Sequence, residues 1–404
     1  MKLLEINAVT TGSTGSIMNN LARVAAERGI DARCSFGLRR QDKIDKTSKN
    51  IAINGWMHHK FNCLLGRLFG LNDLLSFHST KSFIKKIKAF NPDVIHLHIA
   101  HGNYLNIKML FRFFSKYKKP IVWTMHDCWA VTGRCPHFLS LRCNKWKSDC
   151  SSCKYPKKDY PASFINNSKS MLKLKRELFS SLDNFTIVTP SEWLKKVLQE
   201  SFLAKNEITV INNGIDLSIF NPVKSSFREE NGIVDKKIVL AVASFWNCKK
   251  GLYEIIKLSS LLDDSYQIVI VGTSDEVDKI LPSGILSIHR TNSPRELAKI
   301  YSESDLFINP THEDTFPTVN IEALACGIPV LTSSNGGAPE IIDNSCGLVA
   351  DFLDMPSVVH KIKYIIDNKN LFSKENCLKR ASFFDKNNCF DKYIKLFYRK
   401  ASKE

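Results

Sequence analysis

Apolar residues along this chain fall into short, nearly unbroken blocks separated by polar and glycine-rich breaks. Leu3 to Val9, Val94 to Ile99, Pro120 to Met125, Lys237 to Ala243, Gln267 to Val271 and Leu306-Phe307-Ile308 all have this form. Runs of this kind and length fit strands covered on both faces. Stretches from Ile17 to Arg28 (closed by Gly29), Leu172 to Leu182 and Pro294 to Glu303 read as helices. The order strand, loop, helix makes this an α/β chain. Asn309 to Glu340 holds the most informative run. Pro317 suits the first turn of a helix from Thr318 to Cys326, because the N–H it lacks is not needed there. Gly327 is the natural left-handed stop. A buried strand from Ile328 to Thr332 follows, then Asn335-Gly336-Gly337 and a further helix start at Pro339-Glu340. Two loops and two helix N-termini are thereby set at the carboxyl edge of a sheet, where open α/β sheets bind ligands and where free amides suit phosphate.

Candidate chemistry clusters at the same kind of edge. Asp314 lies in the acidic loop and Glu322 about one turn into the helix, so both can accept hydrogen bonds from sugar hydroxyls flanking a phosphate. Gly12 and Gly15 sit in a strand-to-helix turn that can admit a ligand to the backbone, although the third glycine of a dinucleotide fingerprint is missing. His96 and His98 alternate onto one strand face, and His126-Asp127 ends another strand, where the acid can orient the imidazole. Cys135, Cys143, Cys150 and Cys153 end in a C-x-x-C pair and could hold a structural zinc; buried free thiols are the competing reading, since the spacing fits no standard finger.

The loop segment resembles the signature of the family-4 retaining glycosyltransferases, whose usual form is Glu-Gly-Phe-Gly, four residues, then Glu-Ala-x-Ala-x-Gly-x-Pro-Val. Here it reads Asp314-Thr315-Phe316-Pro317, then Glu322-Ala323-Leu324-Ala325-Cys326-Gly327-Ile328-Pro329-Val330. The resemblance implies the GT-B fold: two Rossmann-like domains facing across a cleft, with a C-terminal helix (Cys389 to Tyr398) crossing back to the first. The expected division is 1–217 with about 386–404, including a cysteine-rich insert at 128–153; a linker at 218–236, following the family-like Asn213-Gly214-Ile215-Asp216; and a donor domain at 237–385. It implies transfer of a hexose-type sugar from a nucleoside diphosphate to an acceptor hydroxyl, with retention. Glu322 would hold the ribose and Asp314 or Glu313 the donor sugar, beside Phe316, Pro317, Thr318 and Val319. His126 would contact the sugar near the reacting carbon, Gly12 and Gly15 would face the cleft, and the strand end bearing His96 and His98 would line it. The family pairs an Arg with a Lys-Gly on the diphosphate; Lys250-Gly251 matches, Ser244 stands at the Arg position, and Lys249 is the residue that can compensate. A subgroup acting in bacterial surface-polysaccharide (O-antigen and colanic-acid type) assembly carries a similar cysteine-rich insert.

The chain has 404 residues, enough for two domains, and is 44% hydrophobic and 24% charged, a globular composition. No apolar run reaches the length of a membrane span, and the N-terminus reads as a first strand rather than a signal peptide. A cytoplasmic protein is expected, peripheral on the inner face of the cell membrane. The net charge of +17 fits nucleotide diphosphates, an anionic membrane surface or nucleic acid, but nucleic-acid motifs are missing and that partner is not expected. The basic amphipathic stretch within 56–90, including Lys81, Lys85, Lys86 and Lys88, suits either a membrane surface or a helix packing Phe83, Ile84 and Ile87 inward. No Asp-x-Asp metal motif occurs, so no catalytic cofactor is expected; Lys250 and helix amides would stabilise the leaving group. The acceptor would be a saccharide or lipid-linked oligosaccharide. The rivals are a nucleotide-sugar epimerase of the same fold and a basic nucleic-acid-binding protein.

Overall fold

The structure, a computed structural model, describes residues 1–37, 50–154 and 161–402, so the last two residues of the expected terminal segment lie outside it. The chain divides into two compact units, Met1–Ile211 with Phe390–Glu404, and Asn212–Cys389.

The first unit is built on a parallel sheet of β1 (Lys2–Asn7), β2 (Asp31–Phe36), β3 (Ile51–Ala52), β4 (Val94–Leu97), β5 (Ile121–Thr124), β6 (Phe185–Thr189) and β7 (Glu207–Val210). The spatial order is β3-β2-β1-β4-β5-β6-β7, so the winding reverses between β1 and β4. Strand ends at such a reversal frame a crevice between diverging loops. Alternation divides the core. Leu4, Ile6, Leu97 and Trp123 face one side, with Phe83 and Ile87 of the helix Phe77–Phe90. Leu3, Val94, Val122 and Val188 face the other. There they meet the helix Gly12–Glu27 and Phe390, Tyr393, Ile394 and Phe397 of the terminal helix Lys386–Ala401, so the chain's last helix completes the first unit.

The helix Trp56–Phe69 inverts the usual pattern. It buries Asn62 and Gly66 while Met57, Phe61, Leu64 and Leu68 are exposed, from 41% at Leu68 to 76% at Met57. Asn62 is satisfied inside by donating to Ser76 Oγ at 2.7 Å. By contrast, the helix Phe77–Phe90 buries Phe83 and Ile87 and leaves its lysines outside.

The second unit has a parallel sheet of β8 (Lys237–Val242), β9 (Tyr266–Val271), β10 (Ile285–Ile288), β11 (Leu306–Asn309), β12 (Val330–Ser333) and β13 (Gly347–Ala350). Its order, β10-β9-β8-β11-β12-β13, reverses between β8 and β11. The segment 218–236, anticipated as a linker, packs within this unit: Phe227 and Ile233 join its core, and Arg228 Nη2 lies 2.8 Å from Asp305 Oδ2. Where a helix was expected from Pro339, the chain makes only a short 3₁₀ turn, Ala338–Ile341. Among the described residues, no helix is long and apolar enough to cross a membrane.

Candidate functional site

In the second unit the loops that leave β8 and β11 are neighbours at the reversal. The first closes with the 3₁₀ turn Cys248–Lys250, capped by the Asn247 side chain, which accepts from Lys250 N at 3.1 Å. Gly251 follows at φ 82°, and a Cβ there would strike the Pro310 carbonyl, so glycine is required both for the turn and for the close approach. Main chain also ties the loops together, with His312 N donating to Lys249 O at 2.8 Å. Two ion pairs bridge them: Lys249 Nζ is 3.1 Å from Glu313 Oε1 and Lys250 Nζ 2.8 Å from Asp314 Oδ2. The side chain of Glu313 is 6% exposed against 22% for Asp314. Asp314 is held from both ends. Its Oδ1 accepts from Phe316 N at 3.2 Å and its carbonyl from Gly337 N at 3.1 Å.

The helix Thr318–Ala325 carries Glu322, which accepts from Tyr301 OH at 3.3 Å. Burial pushes the Glu322 carboxyl up to about 7, against weaker pulls from Tyr301 and Thr318. Asn320 anchors the helix base, with its Oδ1 accepting from Asn309 Nδ2 at 2.7 Å and its Nδ2 donating to Thr332 Oγ1 at 2.9 Å. Phe316 and Pro317, expected at the donor, are both buried. The Phe316 ring packs on Phe384 at 5.6 Å, so that residue offers a ligand its backbone only. Thr318 and Val319 are partly exposed, and Ser244 is exposed.

In the first unit, Gly12 and Gly15 lie inside the first turn of the helix Gly12–Glu27, which starts earlier than the sequence suggested. A Cβ at Gly15 would overlap the Thr10 carbonyl, which is why the turn can close so tightly. His126 follows β5, and its Nε2 lies 3.0 Å from His98 Nδ1. His98 Nε2 is 2.8 Å from Glu5 Oε2, and His96 Nδ1 is also 2.8 Å from that oxygen, though poorly aligned for a hydrogen bond. His96 and His98 are therefore buried beneath the strand end rather than lining a cleft, which corrects the sequence expectation. Burial and the neighbouring His98 push His126 well below the usual histidine value. Beside it, His101 Nε2 lies 2.8 Å from Asp127 Oδ2. Sequence reasoning overlooked Glu5; its one signal is an acid in the middle of an otherwise apolar strand.

Cys135, Cys143, Cys150 and Cys153 line one cavity of about 240 Å³, and Gly133 N donates to Cys150 Sγ at 3.2 Å. The donor set suits zinc, but no three of these sulfurs lie within 4.8 Å of one another. Thiolates on one tetrahedral zinc stand about 3.8 Å apart, so the cage is wider than a bound ion would make it. Lys175 fixes the insert from below, donating to Trp129 O at 2.7 Å and Thr132 O at 3.0 Å. Burial lowers that lysine to about 7.

Residues 16–219 match the family described as Glycosyltransferase Family 4, and residues 223–382 match Glycosyl transferases group 1. A protein of Escherichia coli (strain K12) named as a colanic acid biosynthesis glycosyl transferase, WcaC, is 25% identical over 365 residues, covering 86% of each chain. The N,N'-diacetylbacillosaminyl-diphospho-undecaprenol alpha-1,3-N-acetylgalactosaminyltransferase of Campylobacter jejuni is 29% identical over 213 residues, covering 49% of this chain and 56% of that one. The Anabaena protein HepE, solved in complex with UDP and glucose, shares the fold with a TM-score of 0.68 at 14% identity, over 99% of this chain and all of that one. The reversal-point loops, the Lys-Gly turn and the acid-bearing helix thus stand on a GT-B scaffold, and the chain belongs to glycosyltransferase family 4.

Proposed function

We propose that this glycosyltransferase moves a hexose-type sugar from a nucleoside diphosphate to an acceptor hydroxyl, with retention, in bacterial O-antigen or exopolysaccharide assembly. The observation that carries the reading is the double pairing Lys249–Glu313 and Lys250–Asp314 at the reversal point of the second sheet. Lys250 would take the diphosphate and neutralise the charge that builds on it as the glycosidic bond breaks. Asp314, released in part, would accept from the donor sugar. It is the more exposed of the two acids, which favours it over Glu313. Glu322 would hold the ribose, and His126 would contact the sugar near the reacting carbon. The UDP in the HepE complex supports a nucleotide donor, and the undecaprenol-linked substrate in the Campylobacter enzyme's name supports a lipid-linked oligosaccharide acceptor. A thermal-shift screen of UDP-, GDP-, CMP- and dTDP-sugars tests the donor. Stabilisation by one base class that is lost in Lys250→Ala supports the reading, and no shift with any of them removes it. Epimerised nucleotide sugar formed without acceptor would replace it with the epimerase reading.

The acceptor reading extends to the membrane. The exposed stripe of Met57, Phe61, Leu64 and Leu68, with Lys60 and Arg67 on the same helix, supports peripheral attachment to an anionic surface on the inner face of the cell membrane.

A further inference from the structure

Behind His126 lies a row of buried groups that the transfer chemistry described so far leaves unused. Glu5 stands in the middle of β1, fully buried, in register with His96 on β4 and Cys34 on β2. By alternation its side chain shares the sheet face of Leu3, the face that the terminal helix covers. A carboxylate withdrawn from water this completely is costly unless donors reach it. Two imidazoles do. Burial acts to raise the Glu5 carboxyl, but His96 and His98 together hold it below its usual value. The 2.8 Å separations from both rings are hydrogen-bond lengths; three ligands of one ion with bonds of about 2.1 Å would stand about 3.4 Å apart. On its far side His96 Nε2 is 2.8 Å from Thr124 Oγ1, which donates to Tyr393 OH at 3.1 Å, so the terminal helix closes the row.

The proton positions follow from these contacts. A carboxylate only accepts, so His98 must present Nε2–H to Glu5. Burial and His96 push His98 down to about 4, which leaves it neutral with a single N–H. Its Nδ1 is then an acceptor, and the group 3.0 Å away, His126 Nε2, must donate. The two rings lie nearly parallel, 10° apart, with centroids at 5.3 Å, so neither can turn without breaking that contact. A neutral His126 that carries its proton on Nε2 has Nδ1 as its acceptor nitrogen.

We propose that Glu5 is a positioning residue for the transferase: acting through His98, it fixes His126 as the Nε2–H tautomer, so that His126 meets the donor sugar as a hydrogen-bond acceptor through Nδ1. The functional half of this statement rests on the reading of His126 as a donor-sugar contact; the tautomer does not. It requires the sugar hydroxyl facing His126 to donate its proton into the bond.

The test is ¹⁵N NMR of histidine-labelled, ligand-free protein at pH 7.5, with His126 assigned by its loss in His126→Asn. The expected spectrum shows a protonated ε2 nitrogen and a bare δ1 nitrogen at His126. Glu5→Gln should flip or mix this tautomer, because an amide can donate to His98 Nε2. It should also lower kcat about tenfold for release of UDP or GDP from UDP-glucose, UDP-N-acetylglucosamine or GDP-mannose, with donor KM changed less than about twofold. Glu5→Asp should recover part of both. A wild-type His126 protonated on δ1 overturns the proposal, as does a folded Glu5→Gln variant with unchanged tautomer and kcat. Should Glu5→Gln fail to fold, the wild-type spectrum still decides. Full activity in His126→Ala would overturn the donor-sugar contact while leaving the tautomer assignment intact, so the two failures separate.

Discussion

Lys250 Nζ and Asp314 Oδ2 stand 2.8 Å apart, joining the loop after β8 to the loop after β11. An ammonium group has three donors, so Lys250 can keep a carboxylate and still receive a phosphate oxygen. Charge builds on the departing diphosphate in the transition state, so this cation helps the transition state more than the bound donor. Lys250→Ala should lower kcat roughly a hundredfold, comparable to removing one preorganised donor. Ser244→Arg, which restores the cation usual in the family, should recover part of that loss. Steady-state kinetics decide the matter, and an unchanged kcat in Lys250→Ala would remove the diphosphate from this loop.

Glu322 should reveal itself through pH. Its carboxyl is raised by burial from 4.5 to about 7, so the folded chain binds this proton more tightly than the unfolded chain does. Stability is therefore complete below about 4.5 and declines as pH rises toward 7 and above. Glu322→Gln never takes up the charge. It should melt with the wild type at pH 4 to 5 and above it at pH 8, by about 1–2 kcal/mol once solvent screening at a partly exposed carboxyl is allowed for. The same variant should raise donor KM about tenfold with little change in kcat, because a ribose contact is present throughout the reaction. Equal melting at pH 8 would show that the carboxyl is not raised.

Zinc in the cysteine-rich insert is open to elemental analysis. If Cys135, Cys143, Cys150 and Cys153 hold an ion, protein purified without chelator should contain about one zinc per chain, and chelation should lower its melting temperature. Binding would draw the four sulfurs of the 240 Å³ cavity inward. Metal content near zero with activity intact would leave these residues as buried thiols.

The exposed stripe predicts a measurable membrane affinity. Phe61→Asp combined with Leu64→Asp should weaken binding to anionic vesicles about a hundredfold or more, since burying each side chain is worth about 1.5–3 kcal/mol. Salt should weaken the wild type too, because Lys81, Lys85, Lys86 and Lys88 act over a Debye length of about 8 Å at physiological ionic strength. Equal sedimentation with neutral and anionic vesicles at low salt would reject the electrostatic part.

How much of this was legible in the sequence depended on whether the cause was local. Gly327 announces its turn because a left-handed backbone is a property of one residue, and its φ is positive here; Gly251, read only as part of the Lys-Gly motif, has positive φ as well. The Lys250-Gly251 and Glu322 motifs could be picked out because each is a short contiguous run. The burial of the Phe316 ring was not legible, because its position in the motif says nothing of Phe384, the partner that draws the ring into the core. Glu5 stood in plain view in an apolar strand, but its partner His98 is 93 positions away and only the strand order brings them together. The helix Trp56–Phe69 shows the limit of periodicity. The spacing revealed an apolar stripe, while only Ser76, waiting for Asn62, shows that the polar side faces in.

The terminal helix has a consequence for the order in which the protein can be made. Phe390, Tyr393 and Phe397 share the covering of Leu3 and Val94 with the helix Gly12–Glu27, so the first sheet to leave the ribosome lacks part of one wall until the helix Lys386–Ala401 has been made. Nearly 180 residues of the second unit, Asn212–Cys389, intervene. At about 5–20 residues per second that is a delay of roughly 10–35 s. During it only the helix Gly12–Glu27 covers the apolar face around Leu3, Val94 and Val122. The second unit, continuous in sequence, can close first, and a chain that stalls before Phe390 should carry a finished second unit beside an unfinished first.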